Sequence, residues 1–200
     1  RPAGGAGEAA YWLPLLGLWT GARLDELGQL EVGSVKQEEG VWYLDFAPDP
    51  AKGKRLKNAN SRRRVPIHPE LLRCGFLAYV ERTKTAGHSW LFPRLSSAPN
   101  RKRTASFSQW FGRYRRQLGI TGEREVFHSF RHGFMEAGRA AGLTKELRHQ
   151  FTGHGTRDEG DGYGGWPLPT LADAMARIRY DGLDLSHLYK HVGAAPEGEP

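Results

Sequence analysis

Hydrophobic positions recur at helical spacing along most of this chain and alternate in only one place. Residues 8–19 and 23–31 read as two helices broken at Thr20-Gly21. VWYLDFAP (41–48) alternates large apolar and polar residues and is rich in β-formers, which predicts a strand, with RRVPI (63–67) as its partner. The connection over 49–62 is long, basic and interrupted by Pro and Gly, as a loop is. His68-Pro69 opens a helix over PELLRCGFLAYVER, with Leu71, Leu72, Phe76 and Tyr79/Val80 on one stripe. Residues 83–104 have little periodicity and predict a loop anchored by Trp90-Leu91-Phe92. SFSQWFGRYRRQLG (106–119) has a Ser start and a Gly stop, and helices follow over 128–141, 144–151 and 169–180. No internal repeat is present.

Composition narrows this mostly helical reading. Two hundred residues with 38% hydrophobic content suffice for one domain with a core. The longest apolar run, YWLPLLGLW (11–19), is too short to span a membrane and contains Pro14. The one cysteine, Cys74, rules out an intramolecular disulfide framework and suits a reducing cytoplasm. A net charge of +7 points to a polyanionic partner. That charge is concentrated: Ala51–Arg64 holds seven Lys/Arg (Lys52, Lys54, Arg55, Lys57, Arg62, Arg63, Arg64) and no acid. Arg101–Arg116 holds six (Arg101, Lys102, Arg103, Arg113, Arg115, Arg116), again with no acid. Two such clusters predict phosphate contacts, whereas the aromatics at 107, 110, 111 and 114 between the latter cations read as core.

Three polar stretches interrupt the apolar pattern. In TGARLDEL (20–27), Arg23 stands in the first turn of a helix, where a cation opposes the dipole, and Glu26 three residues on can hold it. In HSFRH (128–132), His128 and Arg131 share a face, while Phe127, Phe130 and Phe134 supply the buried stripe. An imidazole beside a guanidinium suits an external anion, with the planar fork meeting two oxygens. The third stretch, TGHGTRDEGDGYG (152–164), puts His154 at a turn and Tyr163 nine residues later.

Together these resemble the catalytic domain of the tyrosine recombinases, the phage-integrase family. The matches are TGxRxxEL at 20–27, HxxRH at 128–132, Gly-His at 153–154 and the tyrosine nine positions beyond, with KNANSRRRVPIHPEL (57–71) similar to that family's β-hairpin and Pro-led helix. The resemblance runs from about residue 8 to 165 and implies an α+β fold, mainly α-helical, with a small antiparallel β-sheet or hairpin on one side. It implies a single catalytic domain over 8–192 with a C-terminal helical extension over 169–192, and residues 1–7 and 193–200 are expected to fray. Full-length members carry a further N-terminal helical domain, so this chain resembles the catalytic half alone.

The resemblance also implies roles. Tyr163 becomes the nucleophile, leaving a 3′-phosphotyrosyl link. Arg23 and Arg131 clamp the non-bridging oxygens, His154 donates a further hydrogen bond, His128 orients or deprotonates the tyrosine, and Glu26 positions Arg23. Lys57 is the general acid on the leaving 5′-oxygen, with Lys52 and Lys54 as rivals. Tyr189 is the rival nucleophile, but it lies 35 residues after His154. Lys52, Lys54, Arg55, Arg62, Arg63, Arg101, Lys102 and Arg103 are expected to contact DNA. No cofactor is expected, and no metal, since two guanidiniums do the charge work; His187 and His191 lack a third ligand. The expected partners are double-stranded attachment-site DNA, further copies in a tetramer on paired sites, and accessory DNA-bending proteins, with no membrane. The expected setting is the bacterial cytoplasm. A non-catalytic DNA-binding module and a type IB topoisomerase-like enzyme are the competing readings.

Overall fold

A computed structural model describes residues 4–47, 62–95, 102–154 and 166–189. The central helix α1 (Ala9–Thr20) is apolar almost all round, and Trp12, Leu13, Leu16 and Trp19 are buried. It ends where Gly21 takes a left-handed conformation (φ 62°) and donates its N–H to Gly17 O. Residues 4–7, expected to fray, instead turn into α1, with Gly5 buried against Trp110. A short helix α2 (Leu24–Gly28) follows. It stops before the expected residue 31 because the chain then pairs laterally: Leu91 N–H donates to Leu30 O and Val32 N–H to Ser89 O, each at 2.9 Å. Leu91 and Phe92 are the buried anchor the pattern predicted.

Three antiparallel strands in the order β1 (Val35–Glu38), β2 (Val41–Phe46) and β3 (Arg63–Pro66) form the small sheet. The predicted pair, β2 and β3, is in register Leu44 to Val65 and Phe46 to Arg63. β1 was not anticipated: VKQE is exposed along most of its length and carries no apolar alternation. The single helix expected after His68 is two, α3 (Pro69–Arg73) and α4 (Phe76–Thr85), separated at Gly75. The remaining helices are α5 (Ala105–Gln117), α6 (Ser129–Ala140), α7 (Lys145–Thr152) and α8 (Leu168–Ala176). α6 and the residue before its cap pack on α1 through Phe130 and Phe127, whose rings meet Gly17 so closely that a Cβ there would lie 2.9 Å from Phe127.

The C-terminal stretch folds back on the same chain. α8 lies against β3 with Leu168, Leu171 and Met175 buried, the Tyr180 hydroxyl donates to Leu18 O at 2.6 Å, and the ring of Tyr180 meets Trp19 edge-on. His68 ties this stretch down. Its ring stacks on Trp19 at 3.9 Å, its Nε2 is 3.1 Å from Ile178 O, and its Nδ1 accepts the Glu70 N–H. Among the described residues no helix is long and apolar enough to cross a membrane.

Candidate active site

Arg131 is the pivot that joins the three polar stretches. It sits in the first turn of α6, 3% exposed. Its Nη1 donates to Gly21 O (2.9 Å) and Thr152 O (2.5 Å), so one guanidinium nitrogen holds the end of α1 and the end of α7 together. Its Nη2 faces the His154 ring, 3.1 Å from Nδ1. Both flanking glycines are demanded by this closeness. A Cβ on Gly21 would lie 2.7 Å from Phe134, and one on Gly153, also left-handed (φ 66°), would lie 2.8 Å from Arg63 Nη1.

The second organiser is Glu26, which is 6% exposed. Oε2 accepts the Arg23 N–H at 2.8 Å, reaching back to the residue before α2 as a capping glutamate does, and Oε1 accepts from Arg23 Nη1 at 3.1 Å. Arg63 Nη2 bonds Oε2 at 2.9 Å from the other side. Burial pushes the Glu26 carboxyl up, but Arg63 and then Arg23 outweigh it and hold the pKa below the usual carboxylate range. Glu26 therefore stays ionised and faces two cations.

Four donor groups share one electrostatic neighbourhood. Burial, followed by Arg23, brings the Arg131 pKa down to about 10, which leaves it cationic at neutral pH. Burial and then Arg131 bring His154 down to about 4, with His149, Arg23 and His128 acting in the same direction. His128, exposed at the start of α6, is lowered by partial burial, then by His132, Arg131 and Arg23. So Arg23, His128, Arg131 and His154 act on one another, and burial first, with the neighbouring charges adding to it, favours the neutral form of both imidazoles. A cluster of mutually repelling donors of this kind is suited to an anion. The sequence pattern did not single out His149, whose ring lies 5.0 Å from that of His154 on the last turn of α7.

Not every predicted residue joins this cluster. Arg63 is a correction. It is 4% exposed, with its donors spent on Glu26 and Phe151 O and its guanidinium 4.3 Å over the Phe46 ring, so it does not face a DNA surface. Arg103 likewise turns inward, over Trp90 at 4.2 Å and bonded to Gly28 O and Phe92 O. Arg62 and Lys102 are exposed, and Lys102 pairs with Asp25. The Tyr189 hydroxyl donates to Glu70 at 2.6 Å, and that bond raises its pKa, the opposite of what a nucleophile needs. Lys52, Lys54, Arg55, Lys57, Arg101, Tyr163 and His191 lie outside the described residues.

Comparison with known proteins bears on the fold and the family. Solved structures share the fold, among them the following two. A XerH site-specific recombinase bound to its difH substrate in a pre-cleavage complex matches with a TM-score of 0.53 at 16% identity, over 88% of this chain and 45% of that one. The integrase from mycobacterium phage Brujita matches with a TM-score of 0.52 at 18% identity, over 94% of this chain and 57% of that one. The chain thus spans about half the length of these relatives. No curated protein matches it in sequence. The model of the phage integrase family matches residues 9–154, from the start of α1 to the imidazole held by Arg131. The chain belongs to the phage integrase family.

Proposed function

We propose that this chain is the catalytic part of a site-specific DNA recombinase that breaks and rejoins double-stranded DNA through a 3′-phosphotyrosyl intermediate at Tyr163. The observation that carries the reading is the junction at Arg131, whose guanidinium bonds Gly21 O, two residues before Arg23, together with Thr152 O and the His154 ring, with His128 one helical turn before it. Two guanidiniums suit the non-bridging oxygens of a phosphodiester, where negative charge grows in the transition state. A phenol with a pKa near ~10 needs a base or a cationic pocket to attack at neutral pH. A neutral His128 can take that proton.

In the reaction, the Tyr163 oxygen bonds to phosphorus as the bond to the 5′-oxygen breaks, and Lys57 gives the leaving oxygen its proton. A 5′-hydroxyl from a second strand reverses the step, so the bond energy is conserved without a nucleotide cofactor. Such exchange fits the integration or excision of a phage or genomic island, carried out by a tetramer on paired attachment sites, with accessory bending proteins. Lys52, Lys54, Arg55, Arg62 and Arg101 supply sequence-independent phosphate contacts.

The test is a nicked suicide duplex carrying the attachment site, incubated with protein and resolved on a denaturing gel. A covalent protein–DNA band that disappears in Tyr163→Phe and persists in Tyr189→Phe is the expected result. A band that survives Tyr163→Phe removes Tyr163 as the nucleophile. Binding without any trapped band replaces the enzyme by a DNA-binding module.

A further inference from the structure

We infer that Arg63 is a positioning residue for the phosphate site, setting Arg23 and His154 at a fixed separation by gripping Glu26 on one side and the end of α7 on the other. The inference rests on the proposed strand-transfer function and concerns a residue that touches neither DNA nor the reacting atoms.

Arginine carries five donors in a rigid fork. In Arg63, Nη2 is 2.9 Å from Glu26 Oε2, Nη1 is 3.3 Å from Oε1, and Nε is 2.8 Å from Phe151 O. The two targets belong to different halves of the site. Glu26 holds Arg23 by its N–H and by Nη1. Phe151 O is among the last four carbonyls of α7, which have no partner within the helix, and the chain reaches His154 three residues later. A cation on this carbonyl also opposes the negative end of the helix dipole. Gly153 lies between them, and a Cβ there would sit 2.8 Å from Arg63 Nη1, so the backbone turn that delivers His154 is shaped around this guanidinium.

Stability alone is a poor reason for the arrangement. The side chains of Arg63 and Glu26 are 1% and 5% exposed, and a buried ion pair can often be replaced by apolar residues at little or no loss. Phe46, stacked under Arg63 at 4.3 Å, and fully buried Phe151 already offer an apolar setting. An apolar pair cannot fix two distances at once. Transfer chemistry needs that, because a misplacement of about 1 Å can lower a rate about 100-fold.

The test compares the wild-type chain with Arg63→Lys, which keeps the charge and loses the fork, and with Arg63→Gln, which leaves Glu26 paired with Arg23 and serves if the lysine variant does not fold. Three quantities are read on each: duplex affinity by gel shift, melting temperature, and the single-turnover rate of covalent trapping on the nicked duplex. NMR titration of the His154 imidazole gives a fourth that needs no catalysis. We expect affinity within about twofold of wild type, trapping slower by about 10- to 100-fold, and a displaced His154 titration. Trapping at the wild-type rate overturns the inference, and so does a loss of rate matched by equal losses of affinity and stability. If the wild-type chain never traps DNA, the proposed function fails instead. The titration then decides, and an unchanged His154 curve overturns the positioning role.

Discussion

Nη2 of Arg131 lies 3.1 Å from Nδ1 of His154. Nε2 of the same ring lies 3.3 Å from that Nη2, so the imidazole can accept from the guanidinium only while neutral, and a proton on it would set one cation against another. Burial and the Arg131 charge, which bring its pKa to about 4, describe the same state. Covalent trapping should therefore hold level as pH falls through 6.5, where an unshifted histidine would be half protonated, and drop only on approach to about 4. In Arg131→Gln the His154 pKa should rise toward 6.5, as NMR titration would show.

His68 should make the fold acid-sensitive. Both ring nitrogens are committed, Nδ1 accepting from Glu70 N–H and Nε2 bonded to Ile178 O, so the folded protein has no place for a second proton. Burial lowers its pKa from 6.5 to about 4. The folded state then binds fewer protons than the unfolded one within that window, and the contribution is whole above pH 6.5 and lost as pH falls through about 4. The full loss is on the order of 3 kcal/mol. Denaturant melts at pH 7 and 5 should differ more for the wild type than for His68→Gln.

Alanine at either motif glycine should destabilise through strain and contact together. Gly153→Ala adds a Cβ at φ 66° and 2.8 Å from Arg63, and Gly21→Ala adds one 2.7 Å from Phe134 and 2.9 Å from Thr152. A left-handed alanine alone costs about 1–2 kcal/mol. Gly21→Ala should cost more than this, because its neighbours are a buried ring and a buried threonine with little room to move. Urea unfolding of both variants measures the difference.

Within the basic stretches, Arg62 and Arg103 should behave oppositely. Arg62 is exposed, and its replacement by alanine should weaken duplex binding and reduce the salt slope by about one. Arg103 spends its donors on Gly28 O and Phe92 O, so Arg103→Ala should lower stability by about 1–2 kcal/mol and leave the salt slope unchanged. Gel shifts across a salt series, with thermal melts, separate the two.

Much of this was legible along the chain. The glycines that end α1 and α7 follow from the periodicity running out, and the pairing of β2 with β3 follows from alternation and β-forming residues. β1 was not legible, because an edge strand that buries almost nothing has no apolar signature. The break at Gly75 was hidden by a hydrophobic stripe that continues through it from Leu71 to Tyr79. The expectation that Arg63 contacts DNA alongside Arg62 failed because it ignored the strand. Side chains two apart share a face, so buried Val65 puts Arg63 inside, and that period-two signal was available. The neighbouring rings of His149 and His154 had no such signal, since their approach depends on how α7 ends.

The match to the family stops at His154, yet the packing does not. Leu168, Leu171, Met175 and Ile178 are at most 2% exposed, and Tyr180 is bonded to the backbone of α1. The stretch from 166 to 189 is thus a wall of the domain as well as a tail, and His154 and Leu168 are anchored on either side of the interval that holds Tyr163. A protease cutting within 155–165 should therefore yield two pieces that stay together as one particle until denatured. A fragment expressed to residue 165 alone should lack part of its own interior.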